Sequence, residues 1–137
     1  MKHTKLFIAL VVLIMVTFGC SMLKNLTSSE SKLYFCEKYD KVKGEINESK
    51  KFTTGTLTVM VDLRPEKKKI GVTEVDINIT DKKTGDAVST HPFTVTKDMD
   101  YIFFNDVPFE KAGKYKVSCL KKDGTVVVSG EIEITEK

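Results

Sequence analysis

The chain contains no tryptophan, two histidines, three cysteines and three prolines, and Arg64 is the only arginine among its 22 basic residues. Each scarcity removes a class of function. With one of the histidines, His3, inside an N-terminal leader, His91 alone could serve as a base, and no Gly-x-Ser-x-Gly elbow accompanies it. A zinc site needs several thiolates or imidazoles, and no cluster of them occurs. A single arginine leaves few bidentate clamps for phosphate or carboxylate. Asp98, Asp100 and Asp106 crowd one segment, but the glycine bend and distal glutamate of a calcium loop are missing. Net charge is +3, of which Lys2 and Lys5 supply two; residues 20–137 hold 20 basic and 19 acidic side chains. Nucleic-acid binding requires a clustered basic surface, so it is excluded as an expectation. No metal, cofactor or catalytic group is expected.

Long apolar runs are also scarce: there is one, "LFIALVVLIMV" over residues 6–16, behind the short positive segment "MKHTK". Together they form the n- and h-regions of an export signal. Two alternatives stand beside cleavage at Cys20: an uncleaved anchor, since residues 6–23 are 18 residues without a charge, and secretion after a cut elsewhere. The run closes on "VTFGCSM", in which Gly19 precedes Cys20. This stretch resembles the lipobox of bacterial lipoproteins, with Thr17 and Phe18 departing from its usual aliphatic and small residues. The resemblance implies a signal peptide over residues 1–19, acylation of Cys20, and a bacterial envelope protein held on the bilayer by its acyl chains. Ser21 in place of aspartate implies the outer membrane if the organism is Gram-negative, facing the periplasm or the exterior. Residues 20–31 then form the lipidated cysteine and a serine-rich tether, and residues 32–137 the domain.

The domain is dominated by alternation of period two. Leu57, Val59, Val61 and Leu63 share one parity; so do Val75, Ile77 and Ile79, then Tyr115, Val117 and Cys119, then Val128, Ile132 and Ile134. Further strands are expected over residues 33–39, 93–95 and 101–104. Lys-Lys-Thr-Gly85 and Lys-Lys-Asp-Gly124 are turn sequences. Pro65, Pro92 and Pro108 are placed between strands or at their ends. About seven short strands without a sustained helical period predict an all-β antiparallel sandwich. Residues 40–55 are left as a long connection, the kind of segment that carries recognition.

The stretch "EKAGKYKVSC", a Lys-Asp-Gly turn and the strand "TVVVSGEIEIT" resemble the closing hairpin of immunoglobulin-like domains, which implies that fold and no particular function. Export to an oxidising compartment permits Cys36 and Cys119 to pair, and a Cys36–Cys119 disulfide is expected; two separate buried thiols are the alternative. Tyr101 and Phe103 share one face of their strand and Ile102 and Phe104 the other, so one pair points outward. Tyr101 and Phe103 are thus a candidate ligand surface. The sequence leads to a non-catalytic envelope module, anchored to the lipid bilayer through Cys20. It would act by contact with an envelope protein through a loop or by strand addition at a sheet edge. The alternative is a carbohydrate or small-ligand module using the Tyr101 to Phe104 region.

Overall fold

The structure, a computed structural model, describes residues 30–137. The leader, Cys20 and the tether up to residue 29 lie outside the described residues. Ten strands follow one another: β1 (Lys32–Cys36), β2 (Lys38–Asp40), β3 (Gly44–Ile46), β4 (Lys51–Thr53), β5 (Gly55–Asp62), β6 (Glu74–Asp81), β7 (Ala87–Thr94), β8 (Tyr101–Phe109), β9 (Gly113–Lys121) and β10 (Val126–Thr135). Among the described residues there is no α-helix, only a 3₁₀ turn at Arg64–Glu66 that uses Pro65 in its first turn.

Three strands form one sheet in the order β1-β5-β8, and five form another in the order β4-β10-β9-β6-β7. Alternation explains how they stack. Val59 and Val61 from β5, Ile102 and Phe104 from β8, Val75 and Ile77 from β6, and Val117 and Ile132 from β9 and β10 all join one buried cluster. Each strand turns its apolar parity toward the other sheet, and burial of those faces is the main force holding the layers together. The domain is therefore all-β, with two open sheets packed across a shared core. At one side the layers meet closely: a Cβ on Gly130 of β10 would lie 2.3 Å from the Leu33 carbonyl oxygen of β1. Both glycine turns form as expected, Gly85 and Gly124 standing at φ 79° and 88°.

Four expectations need correction. The region 40–55 is not an unstructured connection, since β3 and β4 lie within it. The strand expected over 33–39 breaks at Glu37, so that β2 pairs with β3 in a separate two-stranded ribbon. The short strand expected at 93–95 is the end of β7, which has eight residues. Its alternating positions are Ser89, His91 and Phe93 rather than aliphatic, so the period was faint. Pro92 and Pro108 do not terminate strands; they lie inside β7 and β8, opposite Asp76 and Thr56. Both strands are sheet edges, where a proline nitrogen turned away from its neighbour loses no ladder bond.

The register gives the domain two ends. At the entry end Lys32 pairs with Asp62, which pairs on its other side with Tyr101. At the opposite end Gly55 pairs with Phe109. Strands of eight to nine residues separate these ends by about 30 Å.

Candidate binding site

The first candidate surface is the outer face of the three-stranded sheet, where Tyr34, Cys36, Thr58, Met60, Tyr101 and Phe103 share parity. Ile102 and Phe104 are buried in the core, which sends Tyr101 and Phe103 outward. They are not left open. The β2–β3 ribbon folds back over them as a strap, and Tyr39 stacks on Phe103 with centroids 4.4 Å apart and planes 19° apart. Tyr39 also meets Tyr101 edge-on at 6.0 Å. Glu45 from β3 accepts hydrogen bonds from the hydroxyls of both Tyr101 and Tyr34. The Arg64 guanidinium covers the Tyr101 ring at 3.9 Å while its Nε and Nη2 donate to the Asp62 carboxylate at 2.8 and 2.9 Å.

These contacts shift the groups involved. The two phenol donors, Tyr101 first, hold the Glu45 carboxyl below its ordinary range. Burial, and then the bond to Glu45, pushes Tyr101 up to about 12, and the same two causes raise Tyr34. The bond from Arg64 lowers Asp62. The aromatic pair singled out from the sequence is thus engaged by the protein's own strap. Glu45 and Tyr39 had been assigned no role, because nothing local in "EKYDKVKGEI" tells where that ribbon lands.

The expected Cys36–Cys119 bridge is absent, and both thiols are free and buried. The reason is parity. Leu33 and Phe35 of β1 face the core, so Cys36 faces the opposite way, under the strap, whereas Cys119 of β9 belongs to the core cluster. The β1-β5-β8 sheet lies between the sulfurs, and no side-chain rotation spans it. Burial raises both thiols, Cys119 to about 12.

The three aspartates do not converge. Asp98 accepts from the Thr96 hydroxyl at 2.8 Å, Asp100 pairs with Lys69 at 2.8 Å, and Asp106 sits at φ 57° in a bulge where Thr58 faces both Asn105 and Asp106. Among the described residues no three histidine, cysteine, aspartate or glutamate side chains gather as a metal site.

The second surface is a cleft of about 450 Å³ at the opposite end, where the edge strands β7 and β8 leave the core side accessible. Phe109, Tyr115 and Ile79 form its apolar floor, and Val88, 54% exposed, stands at its rim. Phe109 is wedged between Phe35 at 6.3 Å and Tyr115 at 6.1 Å, so the floor is closely packed. The Tyr115 hydroxyl donates to the Lys111 carbonyl at 2.7 Å, fixing the β8–β9 corner that forms one wall. On the other wall His91 Nε2 and Ser89 Oγ are 3.0 Å apart. Asp81 lines the same cleft, but its Oδ1 accepts the amides of Lys83 and Thr84 at 2.7 and 3.0 Å rather than orienting the imidazole. The volume and its mostly apolar lining with a few polar groups suit a partner's side chain or a small ligand. The sequence reading missed this site because it is assembled from β6, β7 and the β8–β9 corner. Its lining falls into separate stretches of the chain, 79–81, 88–91 and 108–115, that only the fold brings together.

Comparison with protein-family models and with curated proteins finds no match for this chain.

Proposed function

We propose that this protein is a lipid-anchored envelope lipoprotein whose immunoglobulin-like domain binds a partner through the β7–β8 cleft, without catalysis. The observation that carries the reading is the cleft itself, an accessible hollow with a closely packed apolar floor at the end opposite Lys32, where β1 begins. The lipobox-like "FGCS" supports the anchor. Three features support the immunoglobulin-like assignment within the two-sheet class. They are the split into five and three strands, the parallel pairing of β4 with β10, and the Tyr115 hydroxyl bonded to a carbonyl four residues upstream. Catalysis is disfavoured because His91 has a hydroxyl neighbour but no carboxylate partner among the described residues. Recognition through Tyr101 and Phe103 is disfavoured because Tyr39 and Arg64 cover those rings. Strand addition at β7 and β8, the edges beside the cleft, is disfavoured by Pro92, Pro108 and the Asp106 bulge.

The test is site-specific photocrosslinking in intact cells. A crosslinker at Val88 is expected to give one discrete adduct that a crosslinker at Lys116, on the outer face of the five-stranded sheet, does not give. Equal products at both positions, or none at Val88, would remove the cleft from consideration. Labelled palmitate is expected to enter the wild-type chain and not Cys20→Ser; an unlabelled wild type overturns the anchor.

A further inference from the structure

We infer that the edge of β10 at Ser129–Glu131 receives an extended segment of another protein as an added strand, in line with β4 and separate from the β7–β8 cleft. The inference rests on neither the anchor nor the cleft.

β10 is covered along one side and only partly along the other. Toward β9 it is paired from Val126 to Ile134. Toward β4 it is paired only from Glu133 to Thr135, because β4 has three residues. Alternation tells which groups this leaves bare. The Glu133 amide donates to the Lys50 carbonyl at 2.9 Å, and the Thr135 carbonyl accepts from the Thr54 amide at 3.0 Å. Odd-numbered residues of β10 thus turn their backbone groups toward β4, and even-numbered ones toward β9. Ser129 and Glu131 therefore each direct an amide and a carbonyl past the end of β4, where no strand stands among the described residues. Between the register shift at Val126–Val128 and the start of β4, the strand is regular and contains no proline.

Beside these groups lies a groove of about 550 Å³, with β1 on one wall and Ser129, Gly130 and Glu131 on the other. β1 is a wall and not the receiving edge. Its Leu33 carbonyl is closed against Gly130, and its Phe35 carbonyl accepts from the Ser49 amide at 3.2 Å. The lining offers Leu33 and Phe35 on the core side and Lys50 and Glu131 toward solvent, so a guest strand that alternates apolar and polar side chains fits it. The Ser31 hydroxyl lines the same groove, buried and without a hydrogen-bond partner among the described residues. Leaving a buried hydroxyl unpaired is costly, and a guest backbone brings the missing partner. The opposite flank is defended against added strands by Pro92, Pro108 and the Asp106 bulge, whereas this edge carries none of those devices. What it presents is backbone, which recognises backbone. The edge is recessed in its groove, so a single thin segment reaches it while the equally recessed edge of a second copy does not.

The test uses the full chain in detergent micelles. Its probe is a pool of short peptides alternating Val, Leu or Phe with Thr, Ser or Lys, and amide exchange is followed residue by residue by nuclear magnetic resonance. Without the pool, Ser129 and Glu131 are expected to exchange many-fold faster than Gly130 and Ile132, whose amides face β9. With the pool, exchange should slow several-fold at Ser129 and Glu131 and stay unchanged at Ser89 and His91 in the cleft. The same pool N-methylated at alternate residues keeps its side chains but cannot bond along an edge, and should protect neither residue. Equal exchange at all four β10 amides in the free chain would show the edge already covered and overturn the inference. Absence of protection by the pool, or protection that survives N-methylation, overturns it as well. A chain that dimerises and protects Ser129 without any peptide replaces the foreign segment by a second copy and defeats the inference as stated.

Discussion

The β9–β10 hairpin and the β2–β3 strap are both antiparallel ribbons, yet they are held in opposite ways. The hairpin runs through eight residue pairs, feeds Tyr115, Val117, Cys119 and Ile132 into the core, and is flanked by β6 and β4 on its two sides. The strap has three residue pairs. Apart from the Ser49 amide on the Phe35 carbonyl, it meets the sheet beneath it by side chains, chiefly Tyr39 on Phe103 and Glu45 on two phenols. A ribbon built into a sheet opens only when the domain unfolds. One laid on a sheet by side chains opens on its own, at lower free energy.

The largest effect should come from Gly130→Ala. The added carbon would meet a backbone oxygen that cannot swing aside, so β10 and β1 must separate, at a cost of about 3 kcal/mol. Chemical denaturation should show that loss with every probe. A loss near zero would mean that the two sheets slide freely at this seam. Next comes Tyr115→Phe, which leaves the Lys111 carbonyl without its phenol donor and is expected to lower global stability by about 1 kcal/mol.

Tyr39→Ala should divide the two regions. It removes an aromatic stack of about 1 kcal/mol while sparing the core, so mass-spectrometric thiol labelling of Cys36 should accelerate and that of Cys119 should not. Parallel acceleration at both thiols would show that strap and core open together. The smallest effect is set by pH. Glu45 has a lowered folded value, so its contribution is complete above the ordinary carboxylate range and lost as pH falls through the folded value. Tyr34 and Tyr101 are raised, so theirs is present below about pH 10 and lost above it. Cys36 labelling, corrected for thiolate fraction, should therefore be slowest near neutral pH and faster in acid. Glu45→Gln should remove the acid limb.

The same contrast explains what could be read from the chain. Where a strand buries one face against the other sheet, as at Val59 and Val61 or Val117 and Cys119, alternation reports the packing directly, and the all-β two-sheet class follows. The turns at Gly85 and Gly124 were equally visible, because their chemistry is local. The strap was not, since Tyr39 and Glu45 gain meaning only from Phe103 and Tyr101, more than fifty residues away. Cys36 misled for a related reason. Its neighbour Phe35 is a core residue, and one step along a strand reverses the face, so two buried cysteines can be near in depth and still be walled apart. The cleft was legible only in fragments, because its lining is drawn from strands of both sheets and from the corner between them.

Pro92 and Pro108 have a consequence beyond their own strands. Any two-layered domain with one open flank offers its copies a template for zipping together, and the hazard grows with crowding on a two-dimensional surface. Here each border strand of that flank lacks one amide hydrogen, and the kink at Asp106 adds a misfit. Neighbouring copies pushed together should collide and part rather than grow into fibrils, and the hollow between those borders stays free for a different visitor.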